Sequence, residues 1–241
     1  MNKLWLPIIF AVGVIIYLLF VHKSETNIIV SFSPEIAGKP LKFDGTVYPL
    51  KFGSIKVSNF KFYISHIRLM TQNPNDDYQE PNSYHLIRFD TPATPPQVQL
   101  QNIPSEQYQK IEFTVGVDKK ANKSLAIIGD LDPNNSMAWS WEVGYKFLVF
   151  EGKLLTDKSN SKKRWRPLVY HVGFSENSRK VILNLPEGFD ENGKLNIKVN
   201  IDKLFSSVHT INPQTMPSIK FSRKEAKQMA DNYQAMFSIE Q

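Results

Sequence analysis

The chain contains no cysteine. This absence excludes disulfide bonds, thiolate metal sites, cysteine nucleophiles and haem attachment through thioethers. It also excludes a lipid-modified N-terminal cysteine, so any membrane tether must come from another part of the chain. A transition metal would have to be bound through imidazole, thioether or oxygen ligands.

Sequence motifs of the common enzyme classes are also absent. The chain has no G-x-S-x-G, no phosphate-binding glycine loop and no H-E-x-x-H. "GDLDPNN", which begins at Gly129, has oxygen ligands at alternate positions but lacks the glycine and the distal glutamate of an EF-hand loop. We therefore predict a turn stabilised by aspartate and asparagine side chains there, and a protein that is not an enzyme.

The formal net charge of +6 is concentrated in only one loop, "KSNSKKRWR" from Lys158 to Arg166. This loop is interpreted as a solvated hairpin connection, and docking to lipid head groups or to an acidic partner protein is the alternative. Basic residues do not interleave with aromatic residues on one face, so no nucleic-acid partner is predicted.

One long apolar run lies at the N-terminus, from Leu4 to Val21. Its length is that of a helix that crosses a bilayer core, and no A-x-A-like cleavage site follows it. Residues 1–26 are therefore predicted to be an uncleaved signal anchor, with a cleaved signal peptide as the alternative. The remaining chain, residues 27–241, is predicted to be one domain in the periplasm, tethered to the inner (cytoplasmic) membrane by a single span.

After the anchor, apolar residues recur with period two, which is typical of β-strands. The clearest stretches are Asn27–Phe32, Ile55–Met70 and Lys110–Asp118. In the second stretch Phe60, Phe62 and Ile64 share one face, and His66 continues it. Seven or more such strands, without helices of crossover length between them, predict an all-β fold of the antiparallel β-sandwich type.

One convincing helix lies near the C-terminus. Ser222 and Glu225 form an S-x-x-E capping box. An apolar stripe follows at helical spacing: Ala226, Met229, Tyr233 and Phe237. The predicted architecture is therefore a β-sandwich with a C-terminal packing helix, preceded by one transmembrane helix.

The stretch "MAWSWEVGYKF", from Met137 to Phe147, holds two of the four tryptophans of the chain. If it forms one strand, alternate side chains share a face. That face would carry Met137, Trp139, Trp141, Val143, Tyr145 and Phe147. Spacing alone favours the apolar face of a central strand, and leaves open a site at which an indole takes part in chemistry.

Four segments in order resemble the MbnP-like family of copper-associated exported proteins. They are "FYISHIRL", "EFTVGVDKKAN", "GDLDPNNSMAWSWEVGYKFLVFEG" and "YHVGF", and a closing helix follows them. The resemblance extends from about Asn27 to Phe237. It implies a periplasmic β-sandwich that binds copper.

The resemblance further implies that a tryptophan is oxidised by a partner enzyme of the di-haem cytochrome c peroxidase or MauG-like class. In related proteins the product, kynurenine, holds copper beside histidines. The residues that match are Trp139, Trp141 and, in the "H-x-G" strand, His171. Met137 and His66 are further candidate ligands, and His66 is otherwise interpreted as a buried histidine satisfied by a backbone group.

Two functions are therefore predicted from different classes. The first is a membrane-tethered periplasmic copper-binding protein that is the substrate of a partner oxidase. The second is an exported interaction or structural β-sandwich without metal, in which the tryptophans belong to the core.

Overall fold

The computed structural model describes residues 24–89, 95–124, 129–140, 143–158, 161–189 and 193–240. The predicted membrane anchor therefore falls almost entirely outside the described residues, and Trp141 also lies outside them. Among the helices in the described ranges, none is both long and apolar enough to cross a bilayer. The division at residues 26 and 27 stays a prediction.

The described residues form mainly β-strands, with three α-helices. The helices are α1 (Lys119–Lys123), α2 (Asp202–Phe205) and α3 (Arg223–Tyr233). The strands are β1 (Glu25–Ile36), β2 (Lys39–Pro40), β3 (Tyr48–Leu50), β4 (Gly53–Met70), β5 (Tyr78–Gln79), β6 (Tyr84–Arg88), β7 (Gln97–Pro104), β8 (Lys110–Val115), β9 (Ala138–Ser140), β10 (Gly144–Lys158), β11 (Ser161–Gly173), β12 (Arg179–Asn184), β13 (Lys194–Asn200), β14 (Ser218–Ile219) and β15 (Phe237–Ile239).

The smaller sheet has the strand order β15-β13-β1-β2, and β7 also pairs with β1. Within it β1 and β13 run parallel, with Ile29 opposite Lys194. The prediction of a purely antiparallel sandwich is wrong at this point. A hairpin forces its two strands to be antiparallel, but β1 and β13 are separated by most of the chain and are free of that constraint.

The larger sheet has the order β12-β8-β4-β10-β11-β14, with β3, β5 and β6 also paired to β4 and β9 paired to β10. It contains a second parallel pair, β11 with β14. The long strand β4 lies near its centre, and β10 and β11 form a long antiparallel hairpin. Both sheets are therefore mixed, with antiparallel pairs in the majority.

The main core lies between the two sheets, as expected for a sandwich. Phe32 of β1 makes edge-to-face contacts with Phe62 of β4 and Phe113 of β8. Phe237 of β15 contacts the same two rings, with centroid distances of 5.5 and 5.2 Å. Because rings of both sheets interdigitate, the two sheets close over one shared apolar layer.

A second group of buried residues, which we call the outer cluster, lies on the opposite face of the larger sheet. Alternation along the strands separates the two groups, so Phe62 faces the main core while Tyr63 faces the outer cluster. The segment 129–140 covers this cluster, and the hydroxyls of Tyr63 and Tyr145 donate to the carbonyls of Asp130 and Leu131. Its buried members are Tyr63, Leu86, Val117, Leu131, Met137, Tyr145, Phe147 and Val149.

The C-terminal helix is confirmed, with one correction. The Ser222 hydroxyl accepts from the Glu225 amide and caps α3. Ala226, Met229 and Tyr233 are fully buried, as their spacing predicts. Phe237 does not belong to the helical stripe, because the helix ends at Tyr233 and Phe237 begins β15, which pairs with β13.

Candidate functional site

The double-tryptophan stretch does not form one continuous strand. It folds back on itself, so that β9 and β10 pair antiparallel with Ser140 opposite Gly144. Gly144 has a φ of 86°, and a Cβ there would lie 2.4 Å from the side-chain oxygen of Asn122. That same oxygen accepts from the Tyr145 amide at 2.7 Å. A glycine is thus required at this turn. The prediction of one continuous strand is wrong, although Met137, Tyr145 and Phe147 of the predicted face are all buried in the outer cluster.

Met137 is fully buried in the outer cluster. The buried members of that cluster are aromatic and aliphatic, and no histidine is among them. The structure therefore places the Met137 thioether in an apolar packing position.

Trp139 is half-buried and lies over the backbone of β11. A Cβ built on Gly173 would come within 2.6 Å of Cζ3 of the indole, so only glycine allows this close approach. The indole also contacts the rings of Phe174 and Phe221, at centroid distances of 5.4 and 5.3 Å. Phe221 is 63% exposed, so this aromatic group borders solvent.

His171 lies on the same face of β11 as Gly173, because residues two apart in a strand point the same way. Its Nε2 is 2.7 Å from Oε1 of Glu151 on the neighbouring strand, and its side chain is 14% exposed. Since the indole of Trp139 covers Gly173, the structure places Trp139 and His171 at neighbouring positions on one face of the sheet.

Burial controls the electrostatics of this pair. It lowers the pKa of His171, and the hydrogen bond to Glu151 opposes the shift only in part. Burial alone would raise the pKa of the Glu151 carboxyl, but hydrogen bonds from Asn59 and His171 outweigh it and the pKa lies below its ordinary value. Lys146 and Lys220 add positive charge that further disfavours imidazolium. The imidazole is therefore held neutral beside an ionised carboxylate.

His66 lies elsewhere, at a β-bulge in β4 between Ser65 and Arg68. Its φ of 56° turns it away from the face of Phe60, Phe62 and Ile64, and that face resumes at Ile67. The predictions that His66 continues the face and is a buried histidine are wrong, because the bulge adds one residue to the strand. Its side chain is 43% exposed.

His66 has side-chain neighbours of its own. Nδ1 is 3.0 Å from the Ser65 hydroxyl, and Nε2 is 3.6 Å from Oδ2 of Asp118. Asp118 accepts a hydrogen bond from the Tyr84 hydroxyl, and burial with this bond raises the pKa of Tyr84 to about 12. In the strand order, β10 lies between β4 and β11, so His66 and His171 belong to separate places on the sheet.

The other two histidines that the structure describes are each held by a carboxylate. Nε2 of His85 is within 3.0 Å of both Glu80 oxygens, and Nε2 of His209 is 3.1 Å from Asp231. Within the described ranges, no group of three histidine, aspartate or glutamate side chains could together hold a metal ion. Among the described residues, a copper ion at His171 would therefore meet one oriented imidazole and no closed set of three such ligands.

Sequence reasoning missed the partners of both histidines. Glu151 and Asn59 lie on strands β10 and β4, and their meeting with His171 depends on the register of three strands. A charged residue inside the apolar run "KFLVFEGKLL" was the available signal for Glu151. Asp118 was expected only to cap a turn, and it does cap α1 through Oδ1 while Oδ2 faces His66.

Comparison with known proteins gives one match of the fold and one match to a family model. No curated protein matches the sequence significantly. The fold is similar to the solved structure of MbnP from Methylosinus trichosporium, with a TM-score of 0.56, 16% sequence identity and coverage of 90% of this chain and 98% of that chain. The family model described as MbnP matches residues 25–222. The chain belongs to the MbnP family.

Proposed function

We propose that this chain is an exported, copper-related protein of the MbnP family, in which Trp139 and His171 mark the copper-binding surface. One observation carries the proposal: the indole of Trp139 covers Gly173 on the strand face from which the His171 imidazole projects. Family membership supports a methanobactin-associated and copper-related role. In this role the protein binds and presents copper and performs no catalysis of its own.

The His171–Glu151 pair is suited to orient one metal ligand. Metal-binding histidines commonly donate one ring N–H to a carboxylate, which fixes the ring and leaves the other nitrogen as the donor atom. With Nε2 directed at Glu151, Nδ1 of His171 is the nitrogen that would bind copper. Bound there, copper would supply a redox-active cation at the sheet surface. Further donors would come from outside the described residues or from the molecule that carries the copper.

Copper affinity tests this assignment. In a competition experiment with a chromophoric copper chelator, we expect His171→Ala to weaken binding by about tenfold or more, because the one oriented imidazole is removed. His85→Ala is the matched control, since His85 is also held by a carboxylate but lies apart from Trp139. Equal copper affinity for wild type and His171→Ala would refute the proposal.

Oxidation of a tryptophan by a partner di-haem enzyme of the MauG-like class is the second part of the proposal. Trp139 is half-buried at an aromatic surface, which leaves part of the indole accessible. Co-expression with such an enzyme should produce an intact-mass change that peptide mapping assigns to Trp139 or Trp141. Trp165→Phe is the control that should retain the mass change, and modification confined to Trp165 would contradict the proposal.

We also propose that the domain is periplasmic and tethered to the inner membrane through its N-terminal apolar run. Fractionation and protease accessibility in spheroplasts test both statements. Protection of the domain from external protease would place it in the cytoplasm and overturn this part.

A metal-free interaction role is the second candidate function. It is favoured by the exposed ring of Phe221 and by the Arg223 guanidinium over the Phe174 ring at 4.4 Å, a surface suited to a protein partner. If this role is correct, Phe221→Ser should retain less of a partner protein than wild type in a pull-down. Neither wild type nor the variant should then bind copper.

A further inference from the structure

The bulge in β4 brings together four side chains that the proposed copper surface does not include. They are Ser65, His66, Tyr84 and Asp118. The His66 side chain is 43% exposed and the Asp118 side chain 31%, so an ion can reach both from solvent. The donors and acceptors of this group determine what it can bind.

The Ser65 hydroxyl fixes the protonation of one nitrogen of His66. Ser65 is fully buried, and its Oγ donates its only hydrogen to the Gly116 carbonyl at 2.8 Å. Towards His66 it can then only accept, so Nδ1 at 3.0 Å carries the hydrogen. In the neutral form of the imidazole the lone pair is therefore on Nε2.

That lone pair lies opposite a carboxylate oxygen. Oδ1 of Asp118 accepts from the amides of Lys120 and Ala121. Oδ2 accepts from the Tyr84 hydroxyl and lies 3.6 Å from Nε2 of His66. When His66 is neutral these two acceptors repel each other, and either a proton on Nε2 or a metal cation between them relieves the repulsion. Adjacent ligands of one tetrahedral ion, each about 2.1 Å from the metal, are roughly 3.4 Å apart.

We propose that His66 Nε2 and Asp118 Oδ2 form a binding site for a divalent transition-metal ion such as Zn²⁺. Ser65 and Tyr84 serve as its outer shell, because the first fixes the imidazole and the second orients the carboxylate. Water occupies the remaining positions of the ion. The site is separate from His171, since β10 lies between the two strands, and it stands independently of the copper proposal.

The backbone at His66 supports a functional origin for this arrangement. A positive φ is uncommon for a residue other than glycine, and such conformations concentrate at binding sites. If the bulge were absent, residue 66 would point into the main core, as Phe62 and Ile64 do. The bulge thus delivers the imidazole to Asp118 at the surface.

Zinc affinity of the full-length protein in detergent tests the proposal, with Zn²⁺ alone as the probe and a fluorescent zinc chelator as competitor. Each of His66→Asn and Asp118→Asn should raise the dissociation constant for Zn²⁺ by about tenfold or more. Tyr84→Phe should raise it by a smaller factor. Asparagine tolerates the positive φ at position 66 and is a good helix cap at position 118, so both variants are expected to fold.

His85→Asn and His209→Asn are the matched controls, since each of these imidazoles is held by a carboxylate outside both proposed sites, and both variants should bind Zn²⁺ as wild type does. The proposal is overturned if His66→Asn keeps wild-type zinc affinity, or if one of the controls removes zinc binding. It is equally overturned if the wild-type protein fails to compete for Zn²⁺, since the two side chains would then form an ion pair only.

Discussion

The main core and the outer cluster are built from the same strands but are enclosed differently. The main core is sealed by two sheets and by α3, and rings from both sheets interlock within it. The outer cluster rests on one face of the larger sheet, and the segment 129–140 covers it. The outer cluster is therefore the smaller and less enclosed of the two.

Both candidate sites lie at the border of the outer cluster. Tyr84 packs against the outer cluster, and its hydroxyl donates to Asp118. Ala138 also packs against the cluster and directly precedes Trp139. Val149, a buried member, is opposite His171 in the register of β10 and β11. Both proposed sites thus lie beside the less enclosed of the two clusters, and binding elements that must open or adjust are commonly drawn from the less stable parts of a protein.

Phe62→Ala should produce the largest loss of stability, because Phe62 is fully buried and contacts Phe32, Phe60, Phe89 and Phe237. We expect the free energy of unfolding to fall by about 3–5 kcal/mol, measured by chemical denaturation. Ile182→Ala, at a half-exposed position of β12, is the control and should change it by less than about 0.5 kcal/mol. Similar losses in the two variants would show that the interlocked rings are not the stabilising layer.

Met137→Ala tests the outer cluster, and its effect should be local. Loss of the buried thioether should destabilise the packing of segment 129–140 on the outer cluster by about 2–4 kcal/mol. Amide hydrogen exchange should accelerate in this segment while β1 and β13 keep their protection. Equal acceleration in the smaller sheet would mean that the two clusters unfold as one unit.

Tyr145→Phe should have an intermediate effect of about 1–3 kcal/mol. Its hydroxyl donates to the Leu131 carbonyl at 2.5 Å, and the buried acceptor would lose this donor. Tyr170→Phe removes a comparable bond, to Met216, from the main core. Exchange of the Leu131 region should therefore respond to the first variant and not to the second; an identical response would argue against two separate clusters.

The smallest effect concerns pH. Burial lowers the pKa of His171 in the folded state below the ordinary 6.5, so the unfolded chain binds this proton more readily. Stability contributed by the neutral imidazole is therefore lost as pH falls below about 6.5. The lowered pKa of Glu151 acts in the same direction at lower pH, below its ordinary 4.5. In His171→Asn the denaturation midpoint should depend less on pH between pH 7 and 5 than in wild type. An unchanged pH dependence would mean that another group titrates in this range.

Local pattern predicted the regular elements well. Alternation in "KIEFTV" predicted β8, and Ile111, Phe113 and Val115 are buried together on one face. The capping box predicted the start of α3, because side-chain capping depends on residues three apart and needs no tertiary contact. The turn around Asp132 was likewise predicted, and Asp132 accepts from the Asn134 amide.

Irregular backbone and distant pairing were beyond local pattern. The bulge at His66 has no glycine to mark it. Its trace in the sequence is the step of three residues from Ile64 to Ile67, which the prediction of a continuing face at His66 did not use. The turn that divides the tryptophan stretch depends on Asn122, which lies 23 residues before Tyr145. The neighbouring positions of Trp139 and His171 were expected from the family resemblance and not from spacing, since they depend on how β9, β10 and β11 align.

The parallel pairing of β1 with β13 has a consequence for how the chain reaches its native state. β1 cannot form its parallel pair until residues near position 194 have been synthesised and are free to fold. Such distant pairings slow folding, because the entropy of closing a very long loop is lost before the contact forms. The smaller sheet can therefore be completed only late, after residues 194–200 are available, and until then β1 lacks its parallel partner.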